Sequence, residues 1–406
     1  MQDDWYSRQA DTIQGYADIK DIKNFYTAIK AVYGPTISSS PPLLSADGKT
    51  LISDKGKILE RWAEHFHSVL NRPSNINEEA IDRLPQVPIN NTLTDPPTEA
   101  EVAKAIKRLS SGKAPGADSI PAEVYAAGGP KLIECLTSLF ATIWTQEKLP
   151  QELKDASIIH LYKRKGSSNS CDNHRGISLL SIAGKILARI MLNRLNAHLE
   201  HDVLPETFDT VCREGLWKIM AKFRYPAKFN AMVRQFDDGM YARVQDDGEC
   251  SKPFPVTNGV KQGCVLAPTL FSMVFSAMLS DAFRDVDVGV RFRYRTDGSL
   301  FNLRRLQAKN KGRVDTARDF LFADDCALNT STESDMQENM DLFTQACDDF
   351  SLTISTKKTE VMHQPAPATA YTEPIITVNG QRLAVADKFV YLGSNLSTST
   401  RRWPTQ

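Results

Sequence analysis

Two adjacent carboxylates, Asp324 and Asp325, stand between short apolar runs and form the sharpest chemical feature of the sequence. The runs Phe320–Phe322 and Cys326–Leu328 predict two short strands joined by a tight turn. Like charges on a rigid turn repel each other unless a cation compensates them, and carboxylate oxygens are ligands that Mg²⁺ prefers. The pair therefore predicts a divalent metal site for Mg²⁺, or for Mn²⁺ in its place.

The acid pair has a simpler alternative interpretation. The chain contains five Asp-Asp pairs, and only the pair at 324–325 lies between apolar runs. An Asp in a hairpin turn often serves only the backbone, through its own local hydrogen bonds. On the two acids alone, that structural role is favoured over a metal site.

Basic and acidic residues are segregated along the chain, although the formal net charge is zero. Seven basic residues and one acid lie within 156–195, and nine basic residues and two acids lie within 288–318. The next stretch, 319–349, has nine acids and no Lys or Arg. Basic surfaces beside an acidic centre suit a protein that holds a polyanion and divalent metal. Solvated helix faces of opposite sign are the alternative, and charge patterning alone favours it.

Composition limits the class of protein. With 406 residues, 41% hydrophobic and 24% charged, the chain resembles a globular protein with one to three domains. No run of 18 uncharged apolar residues predicts a membrane span, and no basic segment followed by an apolar stretch predicts secretion. Seven scattered cysteines form no zinc-ligand spacing. We therefore expect an intracellular, reduced protein without membrane contact, in the nucleus or the cytoplasm.

Several elements can be placed from the sequence. Ala156–Tyr162 is a short apolar run that predicts a buried strand leading into a basic turn. Leu179–Leu199 has apolar residues at helical spacing and predicts a long amphipathic helix. Thr98 and Glu101 form a capping box that opens a helix, and Gly112 is expected to close it. Further helices are predicted over Asp18–Val32, Lys55–Leu70, Pro130–Glu147 and from Pro268.

Six blocks of the sequence resemble reverse transcriptases of non-LTR (LINE-type) retrotransposons, and they occur in the order of that family. The Phe-Ala-Asp-Asp segment resembles the family's metal-binding hairpin, and NGVKQGCVLAPTLFSMVF resembles the segment before it. The tract with KRKG, NHRGISLL and a helix ending in NRL is similar to the family's fingers. The remaining blocks are SGKAPGADSIPAEV upstream, and FSLTISTKKTEVM and FVYLGS downstream.

The resemblance implies a fold and a reaction. It implies an α+β right-hand polymerase fold with fingers and palm over residues 98–396, an incomplete palm, and a thumb truncated at YLGS. Residues 1–97 are then a loosely structured lead-in, and 397–406 a tail. The implied reaction is RNA-directed DNA synthesis from dNTPs on a primed RNA template, with Mg²⁺ as cofactor. RNA template, primer DNA and RNA–DNA hybrid are the implied partners.

The resemblance also implies roles for individual residues. Asp324 is the expected catalytic metal ligand, with Asp325 beside it as a second catalytic acid and ligand. Arg175 is expected to bind the incoming triphosphate with its planar guanidinium, together with Lys163. Lys163, Arg164 and Lys165 are expected to bind nucleic acid. The alternative for these basic residues is a set of solvated loop cations.

Four further residues are implied on the nucleotide side of the site. Gly263 is expected to let the backbone approach nucleotide and template closely, with Gln262 beside it. Lys358 is expected near the leaving group, and Phe208 as the aromatic residue that excludes ribonucleotides. Each has a plainer alternative: a turn for Gln262-Gly263, an exposed strand or helix end for Lys358, and a core position for Phe208.

The resemblance breaks at one point. The chain reads VLPETFDTV over 203–211, where the family has a Gln-x-Gly-Phe-Arg segment, a helix, and a strand with the first metal-binding Asp. Phe208–Val211 resembles the end of that strand, and Val203 stands where the Asp belongs. We therefore expect a deletion at the junction of Glu206 and Thr207 and impaired catalysis. A decayed element and a faulty gene model both account for it. A non-catalytic remnant that binds RNA or hybrid, and an inert pseudoenzyme, remain alternatives.

Overall fold

The computed structural model of the chain describes residues 2–19, 21, 24–25, 28–29, 41–86, 88–199, 212–259, 263–284, 286, 289–295, 312–322, 325–365, 370–391 and 394–397. Helices and short strands surround a large buried apolar core. The helices are α1 (Gln2–Asp18), α2 (Lys55–Leu70), α3 (Glu78–Asp82), α4 (Glu99–Lys107), α5 (Ala122–Ala127), α6 (Gly129–Gln146), α7 (Gln151–Lys154), α8 (Ile182–Leu199), α9 (Arg213–Lys222), α10 (Ala227–Arg234), α11 (Ala267–Ala282) and α12 (Glu333–Asp349).

The strands form one five-stranded sheet and several two-stranded pairs. The mixture of helix and sheet agrees with the expected α+β class. The strands are β1 (Leu43–Leu44), β2 (Leu51–Ile52), β3 (Ala156–Tyr162), β4 (His174–Leu179), β5 (Tyr241–Asp246), β6 (Glu249–Cys250), β7 (Phe254–Pro255), β8 (Val290–Arg295), β9 (Gly312–Ala317), β10 (Asp319–Phe322), β11 (Asp325–Leu328), β12 (Glu360–Val361), β13 (Thr377–Val378), β14 (Gln381–Arg382), β15 (Ala384–Val385), β16 (Lys388–Tyr391) and β17 (Ser394–Ser397).

Strand β3 lies at the centre of the largest sheet, which has the order β4-β3-β5-β6 with β7 also paired to β5. The apolar run forms β3 over the residues predicted, and Ala156 and Ile158 are buried. Strand β5 pairs parallel with β3 over Ala156–Ile158, whereas β4 pairs antiparallel along the full length of β3. The outer half of β3 and β4 is therefore a hairpin that extends beyond the rest of the described sheet.

Helix α8 is part of the core and follows β4 directly. Ile186, Leu187, Ile190, Met191 and Leu195 are fully buried, as the apolar spacing predicted. The helix begins at Ile182 rather than at Leu179, because Leu179 is the last residue of β4 and pairs with Ser157. The helix is thus fixed at its start by the strand that carries Arg175.

The region before residue 98 packs into the same core as the rest of the described chain. In α2, Trp62 and Phe66 are buried, and the Trp62 ring stacks on His160 of β3 with centroids 4.2 Å apart. Asn77 donates its backbone N–H to the Asp349 carbonyl oxygen at 2.7 Å and so joins α3 to the end of α12. The expectation of a loosely structured lead-in is therefore wrong for residues 41–86 and 88–97. The boundary at residue 98 remains a prediction.

Strands β10 and β11 form a hairpin that pairs with no other strand of the described chain. Phe322 pairs with Asp325, so a two-residue connection closes the turn, as the apolar flanks predicted. Strands β8 and β9 form another isolated antiparallel pair, with Val290 opposite Ala317. These hairpins satisfy one edge of each strand and leave the other edge without a described partner.

Other element boundaries differ modestly from the predictions. The capping box of Thr98 and Glu101 is present, but α4 ends at Lys107, with Arg108 as its C-cap, before Gly112. Helix α2 has the predicted bounds, whereas the predicted helix at 18–32 lies largely outside the described residues. Among the described helices, none is long and apolar enough to cross a membrane.

Candidate functional site

The β3–β4 hairpin brings Lys163 and Arg175 to one face. Leu161 pairs with Arg175, and the Lys163 backbone N–H donates to the Asn173 carbonyl oxygen at 2.8 Å, which continues the pairing by one residue. Side chains two residues apart on a strand share a face, so Lys163, Leu161 and Arg175 lie together. Leu161 and Arg175 are exposed. Two cations on one exposed face form a place where a polyphosphate could bind.

The turn after β3 presents the remaining basic residues of the predicted tract. Arg164 has a φ of 58°, and Arg164 and Lys165 are exposed. The Tyr162 hydroxyl donates to the Gly166 carbonyl oxygen at 2.5 Å, and the Lys163 Nζ donates to the Asp172 carbonyl oxygen at 2.7 Å. These bonds fix the turn, so Arg164 and Lys165 are exposed on an ordered hairpin tip, while the Lys163 ammonium is bonded back across the turn.

Gly263 lies against the same strand as Arg175. It has a φ of 107°, and a Cβ there would lie 2.5 Å from the Ser178 carbonyl oxygen of β4. Both the backbone conformation and the space therefore require glycine at this position. The close approach observed is to β4, and the predicted approach of Gly263 to nucleotide and template remains a prediction. Gln262 lies outside the described residues.

The predicted upstream block packs onto the junction between β4 and α8. A Cβ on Gly116 would lie 2.6 Å from the Ser181 backbone nitrogen, so the 113–118 loop touches the chain there. Ser181 in turn accepts the Gly184 backbone N–H through its Oγ at 3.1 Å. Three segments that are distant in sequence thus converge on the end of β4.

The predicted catalytic acids fall on the β10–β11 hairpin. Asp325 is the first residue of β11 and is exposed, while Asp324 lies outside the described residues. Cys326, the next residue, is shielded from solvent, and burial raises the pKa of its thiol. Among the described residues, no group of three or more His, Cys, Asp or Glu side chains could hold a metal ion. Phe208 and the 206–207 junction also lie outside the described chain.

Lys358 is placed in an exposed turn between α12 and β12. Its backbone N–H donates to the Ser355 carbonyl oxygen at 2.9 Å. None of its described hydrogen bonds joins it to β3, β4 or the β10–β11 hairpin. The predicted role of Lys358 near the leaving group therefore remains a prediction.

One residue of the site region was missed from the sequence, namely Arg213. Its guanidinium is buried and donates to the carbonyl oxygens of Gly259, Asp237, Val256 and Asn258 at 2.9, 2.9, 2.9 and 3.2 Å. It therefore fixes the chain that leads from β7 toward Gln262-Gly263. Its position was a usable signal, because a cation in the first turn opposes the helix dipole unless it is used elsewhere.

The inner face of the β3–β4 hairpin carries a cluster of histidines. His160 lies 3.0 Å from Asp246 of β5, and the rings of His174 and Trp62 meet edge to face with centroids 4.8 Å apart. Burial lowers the pKa of His65 and of His174 below the ordinary value. These histidines lie on the opposite face of the hairpin from Arg175, so they serve packing rather than phosphate binding.

Comparison with known proteins relates residues 202–396, a range that begins after the β3–β4 hairpin, to a family. Residues 202–396 match the family model described as reverse transcriptase (RNA-dependent DNA polymerase). The chain is 27% identical over 223 residues to the RNA-directed DNA polymerase from mobile element jockey of Drosophila melanogaster, covering 45% of this chain and 24% of that protein. It is 24% identical over 354 residues to the corresponding jockey protein of Drosophila funebris, covering 75% of this chain and 36% of that protein.

A third relative is the putative 115 kDa protein in type-1 retrotransposable element R1DM of Drosophila melanogaster, 34% identical over 108 residues, or 26% of this chain and 10% of that protein. The matched segment identifies a nucleic-acid polymerase domain. More narrowly, it is a reverse transcriptase domain of the kind found in non-LTR retrotransposons. The matches span 24% to 36% of the first relatives' length.

Proposed function

We propose that this chain is an RNA-directed DNA polymerase domain that binds its substrates but is catalytically impaired. The observation that carries the substrate side is the shared face of Lys163 and Arg175, with Gly263 packed on the same strand. In this proposal the two cations bind the triphosphate of an incoming dNTP, and Gln262 and Gly263 contact nucleotide and template. Lys358 lies near the leaving group, and Phe208 excludes ribonucleotides.

The proposal assigns fingers and palm to residues 98–396, with the β3–β4 hairpin in the fingers and the β10–β11 hairpin in the palm. RNA template, primer DNA and dNTPs are the proposed partners. The two hairpins belong to different sheets. This supports a site in which β3–β4 forms the basic side and β10–β11 forms the acidic side.

The acidic side fits a hard divalent cation in its chemistry but offers few ligands. Asp325 is exposed at the start of β11, next to Asp324 in the connection. Carboxylate oxygens on a turn suit Mg²⁺ or Mn²⁺, which would supply charge neutralisation for a triphosphate when bound. Two-metal catalysis also needs a carboxylate from a second strand, and Val203 stands at the position where the family carries it.

Impaired catalysis follows from that missing strand. Its loss removes a carboxylate that bridges two metals and leaves the palm hairpin without a neighbour. Asp209 is a poor substitute, because six residues of extended chain span about 20 Å and Mg²⁺ ligands lie within about 2.1 Å. A domain that binds RNA or hybrid without catalysis is the second candidate, favoured by the exposed basic turn at 163–165.

Primer extension on a primed RNA template with Mg²⁺ and dNTPs tests the proposal. We expect no extension by the unmodified chain. Insertion of a family-like segment between Glu206 and Thr207, with the Gln-x-Gly-Phe-Arg block and the Asp strand, should restore it. Asp324→Asn in the restored protein should abolish extension again, whereas Asp348→Asn should not. Extension by the unmodified chain that disappears in Asp324→Asn would overturn the impairment.

A further inference from the structure

Helix α8 is enclosed by apolar neighbours along most of its surface, except for one polar row. Lys185, Arg189 and Asn193 are half-buried and recur at every fourth residue, so they follow one side of the helix. Most other side chains between Ile182 and Leu195 are buried; they are Ile182, Ala183, Ile186, Leu187, Ala188, Ile190, Met191, Leu192 and Leu195. The polar row is a feature that the core does not explain.

The two cations of this row form no ion pair with any described residue. Arg194, on the same helix, is paired with Glu101 at 2.7 Å, but Lys185 and Arg189 take part in no described ion pair or side-chain hydrogen bond. Burial lowers the pKa of both groups; the Arg108 charge lowers that of Arg189 further, and Asp118 partly offsets the effect at Lys185. A shielded cation without a partner costs free energy, which an anion from solution offsets.

The row begins beside the candidate site. Cys264, which follows Gly263, lies close enough to act electrostatically on Lys185. Arg189 lies about 6 Å further along the helix axis. Arg108 of the α4 C-cap donates its Nη1 to the Asn193 Oδ1 at 3.0 Å, which brings a third cation to the same row. The cations therefore form a path that leads away from Gly263 and Cys264 along α8.

We propose that this cationic row, defined by Lys185, Arg189 and Arg108, binds the phosphate backbone of a single-stranded nucleic acid that continues from the candidate site. The inference rests on the proposed function, in which that strand is the RNA template. Separate cations at regular spacing, without an aromatic platform on the row, suit successive phosphates rather than bases. Contacts of this kind carry no sequence information, so binding depends on salt and not on sequence.

Fluorescence anisotropy of the full chain with a mixed-sequence single-stranded RNA, at several salt concentrations, tests the row. We expect Lys185→Ala with Arg189→Ala to weaken binding and to make the log–log salt slope less negative by about 1.4, or about 0.7 per phosphate contact. The matched control, Lys131→Ala with Lys148→Ala, removes the same charge from exposed positions in and just after α6. An equal slope change in both double variants, or none in either, overturns the proposal.

A stability measurement separates this role from a structural one. Because the two cations lack partners, thermal unfolding without RNA should occur at the same or a higher temperature in the Lys185/Arg189 double alanine variant. The charge-keeping pair Lys185→Arg with Arg189→Lys should retain the salt slope. If the double alanine variant and the charge-keeping variant both lose stability as well as RNA binding, Lys185 and Arg189 have a structural role and the proposal is overturned.

Two further arms isolate the source of any effect. Single-stranded DNA of the same sequence should show the same slope change, because the phosphates are shared; a change confined to RNA would point to hydroxyl contacts and overturn the backbone contact. Primer extension by the restored protein is scored separately. If the restored protein does not extend the primer but the Lys185/Arg189 double alanine variant changes the salt slope, only the proposed polymerase activity is wrong. If the restored protein extends the primer and the salt slope does not change, only the strand contact is wrong.

Discussion

The β3–β4 side of the molecule and the β10–β11 hairpin are built from similar short apolar strands but are held very differently. Strand β3 is paired on both edges over Ala156–Ile158 and packs against α2. Strand β10 pairs only with β11 in the described chain, and Phe320 on it is 53% exposed. Phe320 therefore lies on a strand that no described strand covers on its other edge. The β3–β4 hairpin is thus anchored by strand pairing on two edges, whereas the β10–β11 hairpin has strand pairing on one edge only among the described residues.

Removal of Arg213 should have the largest effect on the free energy of unfolding. Arg213→Ala leaves the four carbonyl oxygens it contacts without their donor, and hydrogen bonds to a charged group are worth about 1.5–3 kcal/mol each. We expect a loss of about 3–5 kcal/mol in the free energy of unfolding, measured in urea. Arg213→Lys, with a single ammonium, should recover only part of it. A loss below that of an ordinary surface substitution would contradict the anchoring role.

Gly263→Ala should cause the next largest loss of stability, because it disrupts the contact between Gly263 and β4. The substitution places a Cβ 2.5 Å from the Ser178 carbonyl oxygen at a φ of 107°. Gly248→Ala is the matched control, since Gly248 has a φ of 83° but no atom within 4 Å of its Cβ position. The control should cost about 1–2 kcal/mol through its backbone conformation alone. Equal losses of unfolding free energy in the two variants, measured in urea, would show that the contact with Ser178 contributes nothing to stability.

Acid should weaken the hairpin side selectively. Burial lowers the pKa of His65 and of His174 below the ordinary 6.5; Asp172 partly offsets this at His65, whereas Arg61 and Lys163 reinforce it. The unfolded chain then binds more protons than the folded chain as the pH falls through about 6.5, so stability decreases below that pH and is unaffected above it. Urea unfolding at about pH 7.5 and about pH 5.5 measures the loss.

The double variant His65→Gln with His174→Gln serves as the comparison in this pH experiment. It should lose less stability between the two pH values than the unmodified chain, because neither glutamine titrates. His160, which faces Asp246 at 3.0 Å, is retained in both proteins. An identical loss in both would assign the acid sensitivity to carboxylates elsewhere.

The smallest effect is expected on the acidic hairpin. Mn²⁺ or Mg²⁺ should bind there only weakly, with a dissociation constant in roughly the millimolar range, since the described residues offer no cluster of three or more ligands. Asp324→Asn should abolish the binding without a large change in stability, whereas Asp348→Asn on α12 should leave it intact. Calorimetry that shows the same loss from both substitutions would assign the signal to diffuse surface charge.

Local features of the fold could be predicted from the sequence, and non-local ones could not. Strand β3, helix α2 and the capping box of α4 follow from apolar spacing and from Thr98 and Glu101. The parallel pairing of β3 with β5 has no local signal, because the two strands are joined by a long connection. Helix α1 was not predicted, since exposed polar residues dominate it.

The site divides in the same way. The basic turn after β3 could be placed because it follows an apolar run directly, whereas β4, which carries Arg175, was not predicted. Arg213 was missed because its function is to satisfy carbonyl oxygens of a segment that begins 24 residues later. Burial in α2 was missed because its partners, His160 and His174, belong to strands far along the chain.

The stacking of Trp62 on His160 also sets an order of events during synthesis. The two residues are almost one hundred positions apart, so a ribosome that adds about 5–20 residues per second needs about 5–20 s to deliver the second after the first. Through that interval α2 has emerged with Trp62 and Phe66 uncovered, since the strands that cover them do not yet exist. The nascent chain therefore presents an aromatic helix face to chaperones well before the strands that cover it have been synthesised.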